Sequence, residues 1–154
     1  MKRGISLEIP NEYGSFLGEI LGPFDMAVFN WYTGGEESYL VKNGELRELL
    51  PRMIEGMDGR LLKDILENNT YYLIFADLKA FPKGEIVTDL RTYEEFVNSD
   101  CQLVLLVVDS VYVTIYCKEE EKVDRLYYNA KIKGYDNVDY ITDENDFRTR
   151  LSVW

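Results

Sequence analysis

The chain has 154 residues, 46% of them hydrophobic and 14% aromatic, enough to bury about 70% of the surface an unfolded chain exposes, which excludes disorder and removes the need for disulfides or a structural metal. Its 17 Lys and Arg against 28 Asp and Glu leave a net charge of -11, a balance that repels nucleic-acid phosphates and anionic lipid heads. It contains no histidine, which excludes Ser-His and Cys-His nucleophile activation and His-ligated zinc or iron, and leaves carboxylate, Lys, Tyr or Cys chemistry.

Ile5, Leu7 and Ile9 share one face at period 2, so residues 3–9 are predicted to form a half-buried strand that Pro10 ends. Asn11 as N-cap, followed by Tyr13, Phe16, Leu17, Ile20 and Leu21 at the 3.6 period, predicts a helix stopped by Gly22-Pro23. Gly14 and Gly18 weaken it by about 1 kcal/mol each relative to Ala, so packing must hold it. Met26 to Thr33, then Gly34-Gly35, then Ser38 to Lys42 read as a hairpin with a glycine tip. Leu46 to Met53, interrupted by Pro51, is a short helix or a loop. Asp58 is read as the N-cap of a helix carrying Leu61, Leu62, Ile65 and Leu66, with Met57 and Leu62 as a hydrophobic staple. Thr70 to Phe81 predicts a long strand, and Pro82-Lys83-Gly84 a turn into a shorter one at Glu85 to Thr88. Thr92 and Glu95 form a capping box opening a short helix with Tyr93, Phe96 and Val97 inward.

Gln102 to Val108 is apolar on both faces, as a strand covered on both sides must be, and is followed by alternation of Val111, Val113 and Ile115 with Tyr112, Thr114 and Tyr116. A two-residue turn at Asp109-Ser110 sets Val108 opposite Val111, Cys117 opposite Gln102 and Cys101 opposite Lys118. The two cysteines then point to opposite faces and stay as buried free thiols. Glu119 to Glu121 at one end and Lys131 and Lys133 at the other mark the clearest helix, striped by Val123, Leu126, Tyr127 and Ala130 and stopped by Gly134. Val138 to Ile141 predicts a strand, and Thr142 a cap for a last short helix carrying Phe147 and Leu151.

These elements imply an α+β fold, a mostly antiparallel mixed sheet with helices packed on it, and residues 1–154 read as one domain. The βαββαβ order over residues 3–81 recurs over 85–141 and leaves open a division into two split βαβ, ferredoxin-like units, without evident residue identity between the halves. The first ten residues hold no apolar run of the signal-peptide kind, and the longest apolar run, Leu103 to Val108, is far short of the roughly 20 residues of a membrane span. A cytoplasmic location and no membrane partner are expected.

Within Tyr32 to Glu37, Gly34-Gly35-Glu36-Glu37 resembles the Gly-Gly-Glu-Glu signature of diguanylate cyclases over six residues. Ser38 stands where that family carries an aromatic, and a tight turn accounts for the two glycines. Asp143-Glu144-Asn145-Asp146 clusters oxygen ligands of the kind Mg²⁺ selects, lacks EF-hand spacing, and suits the first turn of a helix without any ion. Its continuation holds Arg148 and Arg150, suited to bidentate clamping of a carboxylate or another anion, and Trp154, an aromatic anchor. Asp143 and Asp146 are the internal partners these arginines would otherwise take. Trp31 completes the candidate binding set. Asp77 and Asp109 lie in or at the end of apolar strands, where a carboxylate pKa can rise, although a solvent-facing strand position and a turn explain them as well.

Arg3-Gly4-Ile5-Ser6-Leu7-Glu8-Ile9-Pro10-Asn11-Glu12-Tyr13-Gly14, together with Tyr140-Ile141-Thr142-Asp143-Glu144-Asn145-Asp146 and Arg148 through Trp154, resembles a family of small uncharacterised proteins of Bacillus-type bacteria along the full length. The resemblance implies a bacterial cytoplasmic setting and brings no activity, cofactor or catalytic residue. The leading functional reading is a non-catalytic, immunity- or adaptor-like domain that offers an acidic surface rich in its 12 tyrosines to a protein partner, with no cofactor and no nucleic-acid partner. The alternative is a carboxylate- or Mg²⁺-dependent enzyme acting on a small molecule or nucleotide, centred on Asp143, Glu144 and Asp146 or on Glu36 and Glu37.

Overall fold

Alternating apolar residues build a sheet whose two faces are covered very differently, as seen in a computed structural model that describes residues 1–51 and 53–153, the Glu36 side chain excepted. The strands are β1 (Lys2–Glu8), β2 (Phe29–Lys42), β3 (Glu45–Glu48), β4 (Met57–Asp58), β5 (Tyr71–Pro82), β6 (Leu103–Val108), β7 (Tyr112–Cys117) and β8 (Asp136–Thr142). They form one sheet in the order β3-β2-β5-β6-β7-β1-β8, with β4 beside β2. Every ladder among the described residues is antiparallel. Strand β1 lies between β7 and β8 of the second half and among the described residues pairs with no strand of its own half, so the sheet does not divide into two split βαβ units. The fold is α+β.

The helices are α1 (Phe16–Ile20), α2 (Gly59–Glu67), α3 (Tyr93–Val97) and α4 (Glu120–Ile132). Helices α1, α2 and α4 bury Leu17, Leu62, Leu66, Val123 and Leu126 against Ile5, Leu7, Leu105 and Ile115 on one face of the sheet. The second face has a smaller core, in which Phe96 of α3, Val87, Leu90 and Leu151 pack on Val104, Leu106, Tyr116 and Ile141. Strand β6 is buried from both sides, as its unbroken apolar run requires. Asp58 caps α2 by accepting from the Arg60 amide at 2.8 Å, and Thr92 caps α3 by accepting from the Glu95 amide at 3.1 Å. Val97 is more than half exposed rather than inward.

Several local expectations are overturned, each for a tertiary reason. The first helix begins only at Phe16, because Gly14 pairs both ways with the backbone of Tyr71 at 3.0 and 2.9 Å. The buried Tyr71 hydroxyl accepts from the Leu17 and Gly18 amides and donates to the Leu66 carbonyl, supplying the partners an isolated helix start lacks. Gly34-Gly35 is no hairpin tip. Strand β2 runs through it with a bulge, Gly34 opposing Asp77 and Glu37 opposing Phe75, and Gly35 sits at φ +90 where a Cβ would lie 2.8 Å from Ala76 Cα. The true hairpin turn is Asn43-Gly44, both at positive φ, with Lys42 opposite Glu45. The start of the ambiguous stretch, Leu46 to Glu48, therefore belongs to the exposed edge strand β3, and Leu49 and Leu50 beyond it turn into the core.

Residues 85–88 form no strand, since β5 already has β2 on one side and β6 on the other; Val87 and Leu90 instead plug the second face from a loop. The turn between β6 and β7 is one residue longer than expected. Val108 opposes Tyr112 and Leu103 opposes Cys117, because the Val111 carbonyl is taken by the Ile9 amide at 2.9 Å. Cys101 and Cys117 remain free and buried in different cores. Thr142 opens no helix. Residues 143–153 cross the second face without regular structure, held by Tyr93 N–H to Thr149 O at 3.1 Å and Leu151 N–H to Arg91 O at 2.8 Å.

Candidate functional site

Pairing of β1 with β8 brings the start of the chain against residues 143–146, and there Arg3 organises the acidic segment. Its Nε lies 2.8 Å from Asp143 Oδ1, its Nη1 lies 3.2 Å from Asp146 Oδ2, and its guanidinium covers the Tyr93 ring at 4.1 Å. Hydrogen bonding from Arg3 holds the Asp143 carboxyl below its usual range, and the same bond raises Arg3. The nearly buried Asp146 also accepts from the Tyr116 hydroxyl at 3.0 Å and from the Arg148 amide at 3.1 Å. Burial first, and then the Asp146 charge, push the Tyr116 hydroxyl up, so it stays a neutral donor.

Beside this network lies a cleft of about 440 Å³ lined by Arg3, Thr92, Tyr93, Asp146, Phe147 and Arg148 among others. Phe147 is 90% exposed. Arg148 is half-buried, and among the described residues its guanidinium forms no ion pair or side-chain hydrogen bond; the residue is engaged through its backbone amide. The arrangement offers a positive charge and aromatic surface and presents no activated nucleophile.

The expected internal pairing of Asp143 and Asp146 with Arg148 and Arg150 is replaced by pairing with Arg3. No local pattern around Arg3 signals this, since the contact depends on β1 lying beside β8. Arg150 joins Thr92 in an isolated backbone bridge. Trp31, expected at a binding surface, is fully buried and donates its indole N–H to the Met26 carbonyl at 3.0 Å, so it belongs to the helix-side core. Trp154 lies outside the described residues, as does the Glu36 side chain. Glu144 is exposed in the turn after β8, and among the described residues no three Cys, Asp or Glu converge to hold a metal ion.

Asp77 does not face solvent. It is buried on the second face with Lys79, Oδ1 to Nζ 2.5 Å, and Lys79 also reaches Asp89 at 3.2 Å. Burial outweighs the attraction of Lys79 and pushes the Asp77 carboxyl up to about 6. Asp109 occupies the exposed turn as expected. Burial pushes the Cys101 thiol up to about 12 and raises Cys117 as well, which leaves both protonated and unreactive. No helix among the described residues is long and apolar enough to cross a membrane.

Residues 2–152 match the model of a family described as a protein of unknown function, DUF2691. The chain is 50% identical over 154 residues to the uncharacterized protein YncE of Bacillus subtilis (strain 168), covering 99% of this chain and 100% of that one. No solved structure matches it to a significant degree. This bacterial relationship agrees with the resemblance carried by the two ends of the sequence, and the chain belongs to the DUF2691 family of proteins of unknown function.

Proposed function

We propose that this protein is a cytoplasmic, single-domain, non-catalytic binding module, and that it engages a protein partner through the segment 143–150. Asp143 and Asp146 set the shape of the segment, while Phe147 and Arg148 make the contact. The observation that carries this reading is Phe147. An aromatic ring 90% exposed, next to a half-buried Arg and on the rim of a cleft, has the composition of a protein contact rather than of a solvated turn. The backbone bonds that hold 149 and 151 to α3 and its approach fix the segment in place and lower the entropy lost on binding. The rest of the surface, at net -11, selects against phosphate-bearing polymers and favours a protein.

The test is site-specific photo-crosslinking in Bacillus cells, with p-benzoylphenylalanine in place of Phe147 and, as control, in place of the exposed Ile132 on α4 across the sheet. A discrete adduct from position 147, absent from position 132 and lost on Arg148→Glu, is the expected result. No adduct at 147, or the same adducts from both positions, overturns the reading.

A further inference from the structure

The cleft beside α3 has a feature that simple protein contact does not require, an arginine with its charge left over. Asp146, the acid nearest in sequence, accepts from Arg3, from Tyr116 and from the Arg148 amide, so most of its acceptor sites are filled and none is used by the Arg148 guanidinium. Arg3 in turn is neutralised by Asp143 and Asp146 and shielded by the Tyr93 ring. Among the described residues lining the cleft, Arg148 is therefore the cation without a counter-charge. A shortage of acids does not explain this in a chain with 28 Asp and Glu.

We infer that Arg148 anchors a carboxylate, the cleft being a subsite for a carboxylate carried beside an apolar or aromatic group. The inference rests on the protein-binding reading and names what the partner presents there. The Arg148 backbone is held at the cleft, because its amide is pinned by Asp146. Its planar fork matches two carboxylate oxygens, and Phe147 and Tyr93 offer the apolar group an aromatic wall. Asp146 and Glu94 also line the cleft. Their negative charge, with the net charge of the whole protein, penalises a doubly charged phosphate more than a singly charged carboxylate. A peptide C-terminus and an Asp or Glu side chain both supply that chemistry.

Isotope-labelled protein is titrated with three blocked dipeptides: acetyl-Gly-Phe with a free C-terminus, acetyl-Glu-Phe-amide and acetyl-Gly-Phe-amide. Amide resonances of residues 92–94 and 146–149 and the Arg148 Nε–H are followed by NMR. The two charged probes are expected to shift these resonances and the neutral one is not. The tighter of the two identifies the source of the carboxylate. Arg148→Gln is expected to weaken binding about tenfold, and Arg148→Lys less, since a point charge replaces the fork. Equal shifts from the neutral probe, or an Arg148→Gln protein that binds the charged probes as the parent does, overturn the proposal. Unchanged melting of Arg148→Gln shows that a loss is not a folding defect. Charged probes that leave the cleft unshifted while Phe147 still crosslinks remove the carboxylate subsite and keep the protein-binding reading. Shifts in the cleft without any crosslink do the reverse.

Discussion

Arg3 and Asp146, at opposite ends of the chain, meet Nη1 to Oδ2 at 3.2 Å, and that contact ties the first strand to the wall of the candidate cleft. The Asp146 side chain is only 6% exposed at this point, so its charge depends on the few groups that reach it.

Arg3→Ala removes one of those groups and leaves Asp146 with the Tyr116 hydroxyl and the Arg148 amide. Urea unfolding is expected to show a loss of about 1.5–3 kcal/mol, the range for a hydrogen bond to a charged group. Arg148→Ala, which breaks no internal ion pair among the described residues, is expected to stay within about 1 kcal/mol. The acid limb changes too. Asp143 is held below its unfolded value by Arg3, so its stabilisation is present above the unfolded carboxyl pKa and lost as pH falls. Removing Arg3 flattens that part of the stability profile.

The buried Asp77–Lys79 pair has the opposite sign. Because the folded Asp77 binds its proton more tightly than the unfolded one, its term favours folding below the ordinary value of 3.8 and is lost as pH rises through about 6. At pH 7, Lys79→Met strands the carboxylate and is expected to cost about 3–5 kcal/mol. The cost shrinks below the folded Asp77 pKa, where the carboxyl takes up its proton. Asp77→Leu combined with Lys79→Met is expected to recover most of the loss. Chemical denaturation of the three proteins across pH checks the series.

Gly35→Ala places a Cβ 2.8 Å from Ala76 Cα at a φ of +90, whereas Gly44→Ala meets only its left-handed φ of +78, with nothing within 4 Å. Thermal melts are expected to show Gly44→Ala costing about 1–2 kcal/mol and Gly35→Ala more, since the neighbouring backbone must move as well.

At net -11, no binding of micromolar strength to duplex or single-stranded oligonucleotides is expected at about 150 mM salt. Fluorescence anisotropy decides it, and a saturable rise would refute the charge argument.

What could be read locally was local chemistry. The caps at Asp58 and Thr92, the α4 stripe and its Gly134 stop, and the doubly buried β6 follow from propensity, periodicity and charge within ten or so residues. Asn43-Gly44 is a local turn signal of the same kind, since Asn-Gly suits the two positive φ angles of a tight hairpin. The bulge at Gly35 was not legible. Beyond it the core-facing set in β2 shifts from Trp31 and Thr33 to Ser38 and Leu40, a change of parity that only the contact with β5 produces.

The candidate site divides along the same line. Composition and the Asp143-to-Arg150 pattern point to a segment that the structure places along the candidate cleft, because charged and aromatic side chains in an irregular tail need partners of some kind. Which partners they take was decided by sheet order: β8 lies beside β1, so Arg3 reaches Asp143 and Asp146 before Arg148 can, and Arg148 keeps its charge. Asp77 is buried for the same kind of reason, since the tail and the loop carrying Asp89 close over a strand position that period-2 spacing alone would leave in water. Sequence by itself determined the elements whose energy is local; contacts between residues more than a hundred positions apart carry no local signature, and the tertiary structure alone decided them.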